Sequence, residues 1–458
     1  MIETLLAVLI LVVTGLPLSY ALTRAVPLAI VLAPIAGAAV ATAAVLLMLA
    51  CTGPLLLWFV PVYLATGVLA WRLRDRPRVP SSGWRDALLV TLPLVPPFLR
   101  LGTEPVTWDT HLIWWLHAGY FTQGGDFARA AIGSPVLVFS HPDYPPLASA
   151  PVALVWQLLD IRDFYPAAFV TGFLTLSAIA MLIHAIRVAT AKAHPLLSWP
   201  AAIAAGYAAW TPLWLIPTAG FSDAMCACAF AAGAVLLLFA RPFAGMLPLA
   251  LFLLSAAALM KNEGLSLVVA LAVVGTVRFW RDRRRAALLW VPVGVAGIWS
   301  VTARLLGAET DVLAGGRFSA LLHGDADTLG RLPMILEFMT GRVGWIVLLT
   351  VAAALLGHLF LRRARTGLEL GADGWLWAVT AVHTAGLILI YLITPYDIHW
   401  HLSTSVDRVT IAIAVLACAS AACWGVTAMS PNPPPAPLPE QAERTGAPTA
   451  YRSTAPSK

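Results

Sequence analysis

The sequence predicts an all-α, polytopic transmembrane protein, and three observations carry that prediction. Hydrophobic residues make up 60% of the chain and charged residues only 11%, where a soluble domain carries about 25% charge. The mean hydropathy is +0.82. Stretches of roughly 20 apolar residues recur along the whole length, each long enough to cross a hydrocarbon core of about 30 Å. Too little polar surface remains to cover a soluble fold.

Taken in order, apolar segments run over 4–22, 26–50, 54–71 and 85–101. A mixed stretch, 102–164, follows. Further segments lie near 165–188, 196–217, 221–240, 244–260, 263–279, 286–306, 343–361, 374–394 and 407–428, which makes about thirteen spans. The chain therefore divides into N-terminal transmembrane helices (1–101), an extracytoplasmic loop with interfacial helices (102–164), a transmembrane helical core (165–428) and a tail (429–458). The tail is rich in Pro, Ala, Thr and Ser and is expected to be disordered and cytoplasmic. The start, Met1-Ile2-Glu3, has no basic stretch or small-residue cleavage site, so it reads as a membrane segment and not as a cleaved signal.

Arginine sets the expected orientation. The net charge is +6 and the only lysines are Lys192, Lys261 and Lys458. Clusters at Arg72/Arg74/Arg76/Arg78, Arg278/Arg281/Arg283/Arg284/Arg285 and Arg362/Arg363/Arg365, with weaker ones at Arg24, Arg187/Lys192 and Arg241, mark cytoplasmic loops. Placing all of them inside gives one alternation, with the N-terminus outside and the C-terminus inside. Basic residues in such short clusters are topology signals, and nucleic-acid binding does not explain them. Residues 146–159 resist this scheme. They are apolar but short and follow Pro145-Pro146, so they read as a re-entrant or interfacial helix; a true short span, with one helix miscounted elsewhere, is the alternative. Cys51, Cys226, Cys228, Cys418 and Cys423 lack metal or redox spacing and read as packing residues. Alanine and arginine richness with few lysines suggests a GC-rich bacterial genome.

This topology gathers the unusual polar residues on one face: Glu104 to His111 and on to Trp114-Trp115, Ser140 to Pro146, Gly220 to Asp223, Met260 to Gly264, and Pro395 through Arg408. Ionisable groups at membrane boundaries are costly unless paired or functional. Asp109 leads as a general base that could take a proton from an attacking hydroxyl; the competing role is an N-cap of an interfacial helix beginning near His111. Lys261 could hold a phosphate, or pair with Glu263, or snorkel to the interface. Arg408 offers a two-point fork for a phosphate, or pairs with Asp407 or a lipid headgroup. His141, His399 and His401 could bind a metal or move protons, and Asp143 could join His141 and Asp109 around a divalent ion, but hydrogen-bonding pocket roles are the commoner use. Trp108, Trp114, Trp115 and Trp400 can stack on sugars or sit in the interfacial belt. No Gly-rich phosphate loop follows a strand, so a lipid-linked donor fits better than a nucleotide sugar.

At these residues the chain resembles the C-type (GT-C) membrane glycosyltransferases, the group that includes protein O-mannosyltransferases and the aminoarabinose transferases that modify lipid A. Trp108-Asp109 with Trp114-Trp115 matches the position of that group's acidic residue. His141-Pro142-Asp143-Tyr144-Pro145-Pro146 resembles a second motif of its first loop, and Gly220-Phe221-Ser222-Asp223 a later Asp-containing loop. Lys261-Asn262-Glu263-Gly264 and Trp400-His401-Leu402 with Ser405-Val406-Asp407-Arg408 look like motifs of a bacterial branch. The similarity covers roughly 85–428. It implies a large first extracytoplasmic loop with a catalytic acidic residue, matched by Asp109, interfacial helices beside it and a polyprenyl-phosphate-linked sugar donor. From the residues themselves, the donor phosphate is expected at Lys261 and Arg408, and the acceptor is expected to be an extracytoplasmic glycan, lipid or protein of the cell envelope. The expected sugar or acceptor pocket consists of His141, Asp143, Tyr144, Asp223, Asn262, Glu263, Trp400 and His401. Four spans precede the acidic loop where better-known members have one, and no large C-terminal soluble domain is expected to recognise the acceptor. A transporter or flippase of a lipid-linked or small polar substrate is the competing class, although no internal repeat is visible; a non-catalytic scaffold is a third.

Overall fold

A computed structural model describes residues 2–80, 82–103, 107–191, 193–210, 220–239, 246–310, 316–352 and 370–428. Every regular element among them is helical. Eight helical stretches are long and apolar enough to cross a bilayer: Ile2–Thr23, Val26–Cys51, Leu55–Arg72, Phe164–Ala189, Arg283–Leu305, Ala326–Ala352, Gly374–Ile393 and Ile398–Val426. The chain is an all-α, multi-pass membrane protein.

The first three helices, α1 (Ile2–Thr23), α2 (Val26–Cys51) and α3 (Leu55–Arg72), match the expected segments to within a few residues. The expected span 85–101 does not form one helix. Pro93, Pro96 and Pro97 each lack an amide proton and disfavour helical geometry in the residue before them. The stretch becomes α4 (Trp84–Thr91), a 3-10 turn at Leu92–Leu94 and α5 (Val95–Leu99).

The loop 102–164 is more deeply packed than expected. A π-helical turn over Thr110–Trp115 runs into α6 (Leu116–Phe121), and α7 (Gly125–Ile132) follows. Trp114 is 2% exposed and Trp115 1%. This corrects the expectation of an interfacial helix, because such a helix keeps one face in water or headgroups. Trp115 lies against Phe164 with ring centroids 5.2 Å apart and Trp114 against Tyr144 at 5.6 Å, so neither joins an aromatic belt.

The ambiguous segment 146–159 forms α8 (Ala150–Leu159). Its ten residues rise only about 15 Å, half of what a span needs. Ala150 to Trp156 are all buried, among α1, α2, α6 and α9 (Phe164–Ala189). It is an enclosed apolar helix and not an interfacial one.

Next come α10 (Pro195–Tyr207), α11 (Ser222–Leu238), α12 (Met246–Met260) and α13 (Asn262–Arg278). The last three have 17, 15 and 17 residues, shorter than the roughly 20 of a typical crossing. Helices Arg283–Leu289, Val291–Leu305, Leu332–Met339, Leu370–Ile393, Ile398–Val409 and Ile411–Ala428 complete the architecture. Lys192, Arg241, the Arg362/Arg363/Arg365 cluster, Glu104 and the tail 429–458 lie outside the described residues.

Candidate active site

Three chain reversals and two long helices converge on one cavity of about 740 Å³. The first reversal carries Asp109. Its backbone is already helical and its side chain caps nothing, so the N-cap role is excluded. The carboxylate instead accepts a hydrogen bond from Arg408 Nη1, 299 residues away in sequence. Thr110 anchors the turn through a 2.8 Å contact between its hydroxyl and that of Thr107. Gly220 has φ +96°, and a Cβ there would stand 2.5 Å from Thr110 Cγ2. Only glycine allows that approach, so it fixes where the Asp109 turn sits.

The second reversal holds His141, Asp143 and Tyr144. His141 adopts left-handed backbone at φ 51°, a conformation more accessible to His than to most side chains. Its ring stacks on Tyr144 at 4.8 Å, and Tyr144 stacks in turn on Trp114. Asn262 Nδ2 donates to Asp143 Oδ2 at 2.8 Å, and Trp299 Nε1 donates to the Asp143 carbonyl at 2.7 Å. These bonds pin the loop to α13 and to Val291–Leu305. Desolvation, then the field of Glu263, pushes the Tyr144 phenol above its ordinary value, so it stays protonated as a donor. Further back, His117 Nε2 contacts the Ser140 carbonyl at 2.8 Å, and burial lowers its pKa to about 3.

The third reversal is the single extended residue between α12 and α13, Lys261. It is 4% exposed. Its Nζ lies 2.7 Å from Asp223 Oδ1 and 3.1 Å from Glu263 Oε1. A Cβ on Gly264 would stand 2.0 Å from the Ala257 carbonyl oxygen, so glycine is what lets α13 start this close to α12. Two carboxylates thus hold the lysine charge. The snorkelling alternative is excluded, and the Glu263 alternative holds with Asp223 added.

The last two elements are Leu370–Ile393 and Ile398–Val409. Tyr391 and Ser405 hydroxyls meet at 2.8 Å, and His401 Nδ1 meets the Thr394 hydroxyl at 2.9 Å. Trp400 lines the cavity at 55% exposure and Trp108 at 57%, so these two indoles are the accessible ones. Asp407 does not pair with Arg408; its partner is Arg342 Nε at 2.6 Å. Arg342 sits in a second π-helical turn, Thr340–Gly344, and such turns recur at functional sites. His399 faces Phe338 at 5.6 Å, because positions two apart on a helix point to different sides.

Of the expected site residues, Asp109, His141, Asp143, Tyr144, Lys261, Asn262, Glu263, Trp400, His401 and Arg408 all line the cavity. Asp223 lies behind Lys261 and takes no part in the lining. Among the described residues no three of His, Cys, Asp and Glu stand together as a metal-binding group, so the proposed His141–Asp143–Asp109 arrangement around an ion is not formed. All five cysteines are free thiols. The residues not anticipated are Arg342, Tyr391, Thr394 and Trp299. No family model, curated protein or solved structure matches the chain.

Proposed function

We propose that this chain is a C-type (GT-C) membrane glycosyltransferase. It moves a sugar from a polyprenyl-phosphate donor to an extracytoplasmic hydroxyl, with inversion at the anomeric carbon. The observation that carries the proposal is the Asp109–Arg408 pair on the wall of a cavity rimmed by exposed tryptophans. A base and a phosphate-binding guanidinium are the two groups such a transfer needs side by side. The donor phosphate takes Arg408 from Asp109. Asp109, so released, accepts the acceptor's proton as its oxygen attacks the anomeric carbon. The glycosidic bond to phosphate breaks and the lipid phosphate leaves with the electron pair, its charge met by Arg408. Tyr144, His401 and Asn262 offer hydrogen bonds to sugar hydroxyls, and Trp108 and Trp400 offer stacking faces. On this reading α4–α5, α10, α11, α12 and α13 cross as well, beside the eight helical stretches long enough to do so, which returns the thirteen spans expected from the sequence. The described clusters Arg72/Arg74/Arg76/Arg78 and Arg278/Arg281/Arg283/Arg284/Arg285 then lie on the cytoplasmic face and the cavity on the opposite one.

One observation favours a second reading, a carrier for a cationic or cation-coupled substrate. Asp109, Asp143, Glu263 and Asp407 line the cavity against Lys261 and Arg408, an excess of carboxylates. The test supplies purified protein in nanodiscs with radiolabelled polyprenyl-phosphate sugars and a cell-envelope acceptor, and compares wild type with Asp109→Asn. Transfer from one donor, abolished in the variant while its melting temperature stays put, supports the transferase. Equal transfer in both removes Asp109 as base. No transfer, together with flipping of a lipid-linked sugar or uptake in proteoliposomes, establishes the carrier instead.

A further inference from the structure

The far end of the molecule holds a second pocket, of about 350 Å³. Helix α2 runs from this pocket to α7, in the same 102–164 stretch that carries Asp109, His141 and Asp143. Its C-terminal carbonyls, Leu49 and Ala50, accept from Arg129 of the cavity-side loop at 2.6 and 2.7 Å. Its first residues, Val26 and Pro27, line the second pocket. Its 26 residues rise about 39 Å, so the two sites stand on opposite faces of the membrane.

The pocket is cationic. Arg24 leaves α1 in left-handed backbone at φ 55°, lies 4.6 Å from the Tyr20 ring centroid and donates from Nη2 to the Arg74 carbonyl. Its Nε and Nη1 are shut off from solvent with no hydrogen-bond partner among the described residues. Arg78 lines the same pocket. The Val79 amide donates to the Thr23 carbonyl at 3.1 Å, which holds the segment carrying Arg78 against the end of α1. The N-termini of α2 and α4 both open here without a side-chain cap; Asp86 in the first turn of α4 offsets that end, so it is the positive end of α2 that adds to the two arginines. Two carboxylates lie nearby. Asp75 lies 3.7 Å from Arg74, and Asp86 acts on Arg187. Neither lines the pocket.

The surroundings mark the headgroup level. Trp84 and Trp71 are both exposed, and Arg72 and Arg74 lie 5.3 and 5.2 Å from the Trp71 ring. Indoles and arginines concentrate at that depth, and basic pockets between membrane helices take lipid headgroups there. We propose that this pocket binds the phosphate of one anionic phospholipid between Arg24 and Arg78. It does so on the face opposite the cavity, and independently of the transferase proposal.

The test uses the full-length protein in neutral detergent, titrated with phosphatidylglycerol or with phosphatidylcholine of the same chains, and read by native mass spectrometry. Wild type should show a discrete first adduct with phosphatidylglycerol that phosphatidylcholine does not reproduce. Arg24→Gln/Arg78→Gln should weaken that adduct about tenfold or more. Ser82→Asp keeps both arginines but sets a carboxylate in the pocket, and should weaken it likewise. Arg281→Gln/Arg283→Gln, in another basic cluster, should leave it intact. Retention in both pocket variants overturns the proposal, as does equal loss in the Arg281/Arg283 variant. Displacement by excess inorganic phosphate would make the occupant a soluble phosphate, which overturns the assignment to lipid.

Discussion

Lys261→Met tests whether the lysine is a structural staple or a ligand for phosphate. Removing it leaves the Asp223 and Glu263 carboxylates without their contacting cation, and what remains to offset Asp223 is the field of Arg408 beyond contact distance. Both oxygens sit within hydrogen-bond range of one nitrogen, at 2.7 and 3.1 Å, so they are less than about 6 Å apart. At that separation two like charges repel by about 3 kcal/mol for an effective dielectric constant near 20. Stripping one member from a buried ion pair costs about 3–5 kcal/mol in general. The variant should therefore lose stability by a similar amount and melt several degrees below wild type. Thermal unfolding in detergent, followed by the fluorescence of the 18 tryptophans, reads that shift. Asp223→Asn/Lys261→Met removes one of the two opposed charges and should recover most of the loss, a coupling a double-mutant cycle isolates. A Lys261→Met protein that melts with wild type would refute the staple and return the lysine to the role of phosphate ligand.

Further outcomes follow from the same geometry. Gly220→Ala should lower both activity and melting temperature, because its Cβ would meet Thr110 at 2.5 Å in a backbone of φ +96°; Thr110→Ala in that background should restore part of both, read by transfer assay and melting. Trp114→Ala should cost about 3–5 kcal/mol of stability, as expected for a buried indole, whereas Trp108→Ala, at the exposed rim, should leave the melt unchanged and reduce transfer. His117 is held neutral in the fold with a pKa near 3 against an ordinary 6.5. The unfolded chain takes up that proton first, so stability falls as pH drops from about 6.5 toward 3; His117→Gln should flatten this acid limb in melts recorded across that range. Arg342→Gln should shift the melt by less than about 1 kcal/mol, since its pair with Asp407 is partly solvated.

Much of the cavity was legible in the sequence because membrane proteins rarely leave ionisable residues at boundaries without a purpose. Each of the five polar motifs quoted from the loops contributes to the cavity or to the pair behind it. Partner choice was not legible. Asp109 finds Arg408 across 299 residues, while Asp407, adjacent to that arginine, turns to Arg342; adjacent helical positions point about 100° apart, so sequence neighbours are poor candidates for pairing. Enclosure is hidden from the sequence for a related reason. Trp114 and Trp115 have the composition of belt elements and α8 the length of a surface one, and only the surrounding packing decides that they are enclosed. Tyr391 and Trp299 were hidden inside apolar runs, where a polar tip on an aromatic ring leaves no mark on hydropathy.

The pairing pattern also assigns unequal roles to the two cations of the proposed reaction. Lys261 contacts two carboxylates and Arg408 contacts one, Asp109, with Asp223 acting on it from beyond contact distance, so a phosphate entering the cavity displaces a single contacting anion to reach Arg408 but has to compete with two for Lys261. Arg408 is the group that exchanges, and the anion it gives up is the base the reaction needs. Donor binding and release of Asp109 are then one event, and without a donor the carboxylate stays neutralised, which keeps it from activating water. On this logic Arg408→Lys, which retains charge but loses the two-point fork, should raise the KM for donor and lower kcat together, whereas Lys261→Arg should act mainly through stability. A Lys261→Arg protein with wild-type melting but a raised donor KM would place the phosphate on Lys261 and break the link between donor binding and the base.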